Sequence, residues 1–241
     1  MSLRGGSRLF TMRPMGRVRA LAGVIGPGAF TVAWLVAQRR QDEYSVAHEH
    51  ISGLAAPDAN DPHVMTAGFL ALGACTVAFA SELDRRLGRG GGPSAGWGPA
   101  LIGTTGLTTL ASGVFRRDRR SNVIPPGQAP GQSWVNDVHD AAVVVGGIAG
   151  AAGLIALARR FAGGPDWEGY VLPAFSAAVA GSGLTGFFLR DVVRPGNGIV
   201  QRASVSIPLA FMARLAIHLL RRDPSAERSI ASVRRPRRWR R

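Results

Sequence analysis

Apolar positions run along this chain in six blocks, each about 20 residues long, the length a helix needs to cross the hydrocarbon core of a bilayer. The blocks are Val18–Ala37, Val64–Ser81, Trp97–Phe115, Val138–Ala158, Tyr170–Leu189 and Ile199–Leu220. A soluble helical bundle would show polar faces at the helical period, and these blocks show almost none. The third is the least apolar, because it carries Thr104, Thr105, Thr108 and Thr109. Their hydroxyls can bond back to helix carbonyls and so remain compatible with lipid. The pattern predicts an all-α membrane protein: a bundle of six transmembrane helices over residues 18–220. It is flanked by an Arg-rich arm at 1–17 and an Arg-rich tail at 221–241 with too little apolar content to fold alone.

Charge adds an orientation. The 241 residues carry 29 basic and 15 acidic side chains, a formal charge of +14, and every basic residue is Arg. With the N-terminus inside, the arm, the second and fourth connections and the tail hold 19 Arg and six acids. The outer loops hold nine of each, and Arg214 lies within the sixth block. The whole excess then faces the cytoplasm, as the positive-inside rule requires, and both termini are cytoplasmic. The tail, ending RRPRRWRR, reads as an anchor on anionic inner-leaflet lipids, with a nucleic-acid arm as the disfavoured alternative. Arg13, Arg17 and Arg19 before the first block also suit a signal peptide. That block runs on to Gln38-Arg39-Arg40 with no clear small-x-small site, so an uncleaved helix is expected. One cysteine, Cys75, excludes a disulfide scaffold and reads as an inert core thiol.

Two stretches resemble each other. Asp61-Pro62-His63 precedes the second block and Asp137-Val138-His139 the fourth; Trp97 opens the third and Trp167 the fifth. The third block ends in Gly113-Val-Phe-Arg-Arg-Asp118 and the fifth in Gly186-Phe-Phe-Leu-Arg-Asp191. A duplicated helical hairpin, spans 2–3 and 4–5, is the simplest account. It would bring Asp61, His63, Asp118, Asp137, His139, Asp140 and Asp191 to one level at the outer surface, where Glu43, His48, Glu49 and His50 of the first loop can join them.

The order of these outer-face residues resembles a bacterial and archaeal family of six-helix membrane proteins, domain of unknown function 998. The likeness rests on Tyr44-Ser45 leading to Ile51-Ser52-Gly53, on Gly113, Phe115 and Asp118 at the end of the third block, on His139, and on Gln201-Arg202 at the start of the sixth. It covers nearly the whole chain except the two Arg-rich ends. Members commonly carry Pro after that Phe, where this chain has Arg116. The resemblance implies six helices and a bacterial plasma-membrane location; it implies no activity.

Candidate chemistry gathers at both faces. His63, His139, Asp118 and Asp137 are the candidate catalytic and metal-ligating residues, and zinc is the ion such donors would take. Helix geometry gives them little help, since His139 lies about 100° from Asp140 and off the Asp137 face. The structural reading of the same residues is different. Asp118 would be neutralised by Arg116, Arg117, Arg119 and Arg120, and Asp137 would cap the fourth helix. His139 would close a seam lined by Val143, Gly146, Gly150 and Gly153. On the inner face Arg214, with His218 one turn on, is expected to snorkel, to pair with Glu82 or Asp84, or to hold a lipid phosphate. Arg202 is a third lipid- or anion-binding candidate, and Pro173 and Pro208 interrupt spans five and six.

Three functions follow. The first is a non-catalytic component that binds lipids or partner membrane proteins. The second is a metal-assisted hydrolase or transferase acting on lipid headgroups. The third is a small-molecule transporter, with ion coupling disfavoured by the lack of unpaired mid-span carboxylates.

Overall fold

A computed structural model describes residues 14–87, 96–121, 133–190 and 195–222. Most of the arm and tail, the loop around Gln128, Arg89, Asp191 and Arg194 lie outside the described residues. Six long helices form within them: α1 (Pro14–Arg39), α2 (Pro62–Leu87), α3 (Trp97–Val114), α4 (Trp134–Phe161), α5 (Glu168–Arg190) and α6 (Asn197–Arg221). Short 3-10 turns stand at Ser52–Ala55 and Pro165–Trp167. Each helix packs on its chain neighbours and α6 returns to α1, so the six form a closed ring. We call the end where α1, α3 and α5 finish the mouth, and the opposite end the base.

The ring is a membrane structure. Five helices, all but α3, are long and apolar enough to cross a bilayer. Large apolar side chains face outward around it, among them Ile25, Ile148, Leu172 and Val179. In water such a surface would be an aggregation site; in lipid it is the solvated face. The α3 helix is the shortest, with 18 residues, and is not among those five.

Small residues let the helices approach closely. Gly73 of α2 faces Gly106 of α3, and a β-carbon on either would lie 2.7 or 2.8 Å from the other's carbonyl oxygen. On the other side of α3, Gly146 and Gly150 of α4 lie against Thr108 and Thr105, and Gly153 against Ile102. Thr105 Oγ1 donates to Leu101 O of its own helix and to Gly146 O of α4, both at 3.2 Å. The expected small-residue seam is thus the α3–α4 interface.

Helix starts differ from expectation in one instructive place. The α4 helix begins at Trp134, a turn before Val138, and its cap is Ser133, whose Oγ accepts from Asn136 N. Asp137 is not the cap: it sits exposed in the first turn, where its charge still meets the positive end of the helix dipole. The paired hairpin motifs also sit unlike each other. Asp61 precedes α2 in the left-handed region at φ 52° and His63 is exposed, whereas Asp137 and His139 are both helical and His139 is buried. The third helix stops at Val114, before its Arg-Asp pair, whereas α5 stays helical through Arg190.

Candidate functional site

The mouth is closed by the first connection. Residues Ile51 to Ala56 are apolar or small and all are buried; Ile51, Leu54 and Ala55 belong to the main hydrophobic core. The neck of this loop is tied by Arg40 to Asp61 at 2.8 Å, and by Gln41 and Asn60, which exchange two 2.8 Å bonds between side-chain amide and backbone. Burying six loop residues requires that their backbone and polar neighbours find partners away from water.

Two distant segments supply those partners. From α6, Gln201 Oε1 accepts from Ile51 N at 2.7 Å, and Gly198 N donates to Ala47 O at 2.9 Å. Arg202 Nη1 donates to the carbonyls of Val46, Glu49 and Gly198, each at 2.9 Å, and its Nη2 to Tyr44 Oη at 2.6 Å. A side chain at Gly198 would run into the Val46 and Glu49 carbonyls, which is why the loop can lie against the helix there. From the segment after α3, Arg120 Nη1 reaches the Glu49 carboxylate at 3.1 Å, Arg120 N donates to Asp58 Oδ1 at 2.6 Å, and Arg117 Nη1 donates to His50 Nδ1 at 3.1 Å. Burial pushes the Glu49 carboxyl above the usual range and outweighs the attraction of Arg120; burial likewise raises the Tyr44 phenol against Arg202.

Asp118 is engaged differently from the expectation that its arginine neighbours neutralise it. It accepts from Ser133 N at 2.7 Å and Ser133 Oγ at 2.5 Å, while Arg117 and Arg120 turn to the first loop. The two bonds from Ser133 hold its carboxyl below the ordinary range, with smaller help from Arg117 and Arg119. A carboxyl depressed in the folded state adds stability that is complete above its unfolded pKa and is lost as pH falls through the folded value. The Tm is therefore expected to decline as the medium is acidified below the ordinary carboxylate range, and Asp118→Asn, which cannot titrate, to decline less over that window. Parallel acid profiles would remove Asp118 from the account. Glu49, shifted upward, acts in the opposite sense.

His139 lies on the inner side of this assembly. Its ring is 1 % exposed, Nδ1 donates to Phe115 O at 2.8 Å and Ser112 O at 3.1 Å, and Phe69 meets it edge-on. The imidazole thus ties the C-terminal end of α3 to α4. His63 and Asp137 are both exposed, at the starts of α2 and α4. Among the described residues no three His, Cys, Asp or Glu side chains stand close enough to hold a metal ion. The four metal candidates are therefore spread over the mouth rather than converged.

The base carries a second assembly. Trp167 stacks on Phe161 with centroids 5.0 Å apart, and the His218 ring stands 5.1 Å from Trp167 and 4.4 Å from Tyr170. Arg214 lies over Tyr170 at 5.1 Å and donates to Gly169 O at 3.4 Å; Arg222 lies over Trp167 at 5.7 Å and pairs with Asp166 at 3.3 Å. Arg214 meets neither Glu82 nor Asp84. Glu82 is fully buried and is held by Arg85 Nε at 2.9 Å, Arg85 Nη2 at 2.5 Å and Arg86 Nε at 3.0 Å. Of the three anion candidates, Arg214 and His218 share one cluster at the base and Arg202 belongs to the mouth.

Sequence reasoning missed the inward fold of the first loop and the roles of Tyr44, Arg117, Arg120 and Glu82. The run Ile51-Ser-Gly-Leu-Ala-Ala56, too apolar for a solvated loop, was the available signal for the first. The residues that carry the family likeness, Tyr44, Ile51 to Gly53, Gly113, Phe115, Asp118, His139, Gln201 and Arg202, all stand at the mouth. No curated protein and no solved structure matches the chain. A family model described as "Protein of unknown function (DUF998)" matches residues 24–218, from within α1 to within α6, and the chain belongs to that family.

Proposed function

We propose that this protein is a non-catalytic component of the bacterial plasma membrane that crosses it six times and holds an anionic lipid headgroup at its base. The observation that carries the reading is the collar of Arg214, His218 and Arg222 around Trp167 and Tyr170. Trp and Tyr favour the headgroup level, and guanidinium groups there meet phosphate. Arg159, Arg160, Arg221 and Arg222 end α4 and α6 at the same level, which supports a cytoplasmic base. Arg214 is seven residues before Arg221, roughly 10 Å deeper by helix rise, within reach of the headgroups by snorkelling.

A sixth crossing by α3 is supported by its pairing. It runs antiparallel to α4 from Gly98 against Leu157 to Ser112 against His139, a length along α3 of about 21 Å by helix rise. A reporter after Arg89 is expected to be cytoplasmic and one near Gln128 external.

Native mass spectrometry of the purified protein tests the collar. Arg214→Gln with His218→Ala is expected to lower retained phosphatidylglycerol severalfold relative to phosphatidylethanolamine. An unchanged ratio would overturn the headgroup site. Metal-assisted chemistry on headgroups is a second reading, favoured by one observation: His139 Nε2 is buried and meets no partner among the described residues. Near-stoichiometric zinc, lost in both His63→Ala and His139→Ala, would put that reading first.

A further inference from the structure

A cavity of about 90 Å³ lies between α2, α3, α4 and α6, at the depth of the apolar spans and only partly enclosed. Its wall is formed largely by Leu72, Phe79, Leu154, Leu157, Phe211 and Met212. The polar side chains in it are Thr76, Thr105 and Thr109, and none offers a free hydroxyl donor. Thr105 donates to Leu101 O and Gly146 O, Thr109 to Thr105 O at 2.8 Å, and Thr76 to Met212 Sδ at 4.0 Å. Pro208, also in the wall, lacks the N–H that would otherwise bond the Ser204 carbonyl, so α6 is missing one ladder bond at this level.

The chemistry of the wall selects the guest. A polar molecule entering would give up its hydrogen bonds with water and find no free hydroxyl donor, only three threonine oxygens as acceptors in an otherwise apolar wall, which is unfavourable. Water is disfavoured for the same reason, since a buried water needs two to four polar partners. An engineered apolar cavity of about 150 Å³ stays dry and binds benzene, so a space of this order accepts a few carbon atoms. The medium around the ring is itself hydrocarbon. We propose that the cavity is a binding site for the terminal segment of a membrane lipid's acyl chain, which enters between the helices from the bilayer. The site is separate from the headgroup collar and rests only on the chain lying in a membrane.

Cross-linking decides it. The protein is reconstituted in nanodiscs of phosphatidylcholine bearing a diazirine at the end of one acyl chain; a zwitterionic lipid keeps the result independent of the collar. Photolysis is expected to label Met212 and Leu154, which are 9 % and 5 % exposed and shielded from the outer lipid, as well as the outward-facing Phe175. In Leu154→Trp, which fills the cavity, label on Met212 is expected to fall at least fivefold while that on Phe175 is unchanged. Absence of label on Met212 in the wild type, or equal label on Met212 in the filled variant, overturns the proposal. Should Leu154→Trp fail to fold, Met212→Phe read at Leu154 gives the same two outcomes.

Discussion

Arg202→Ala is expected to lower the Tm in detergent by roughly 10 °C, through a loss of about 3–5 kcal/mol. One guanidinium serves the Val46, Glu49 and Gly198 carbonyls and the Tyr44 hydroxyl. Its removal leaves two loop carbonyls and a half-buried phenol without their charged donor, and bonds to charged groups are the stronger kind. Tyr44→Phe, which deletes one of these bonds, is expected to cost about 1 kcal/mol. Arg202→Lys should fall between them, because an ammonium cannot reproduce the planar fork. A second readout locates the damage: Ser52→Cys in a Cys75→Ala background is expected to resist maleimide in the otherwise native chain and to react once Arg202 is gone. An unchanged Tm together with an unreactive Ser52→Cys would mean that the loop is held by its apolar residues alone.

The other large effect belongs to Glu82. Its carboxylate is fully buried and answers two guanidinium groups, from Arg85 and Arg86 one turn on. Removing Glu82 leaves Arg85 and Arg86, with side chains 29% and 26% exposed, without their shared anion in a partly desolvated setting. Glu82→Ala is expected to cost about 3–5 kcal/mol, measured as a shift in thermal unfolding. Asp84, exposed two residues later, is the control, and Asp84→Ala should change stability by less than about 0.5 kcal/mol. Comparable losses at the two positions would show that charge at this end of α2, rather than the buried site, sets stability.

The helices were legible because lipid imposes a simple condition, a long apolar run, and five of the six satisfy it plainly. The seam along Gly146, Gly150 and Gly153 was legible for a related reason: three small residues on one helical face leave room only for a close neighbour. Polar partners were not legible, because they depend on which loops meet. Four arginines surround Asp118 in sequence, yet Ser133, 15 positions away, takes its carboxylate, and two of those arginines cross to the first loop. The cap of α4 shows the same limit on a smaller scale. Asp137 and Ser133 are both good cap residues, and the one that caps the helix is Ser133, which is also held by the distant Asp118 carboxylate, a contact no local preference encodes. His139 was read as a seam closure from its face alone, and its bonds to Ser112 and Phe115 are of that kind.

The bonds from α6 to the first loop span about 150 positions of chain: Ile51 meets Gln201 and Tyr44 meets Arg202. During synthesis the loop therefore emerges long before its partners. At about 5–20 residues per second, the wait is on the order of ten to thirty seconds. Through that interval the apolar stretch from Ile51 to Ala56 has no completed seat, and only insertion of the last helix provides one. The mouth is therefore assembled last, once α6 is in place. A chain that stops before α6 lacks the Gln201 and Arg202 bonds that seat this buried apolar stretch.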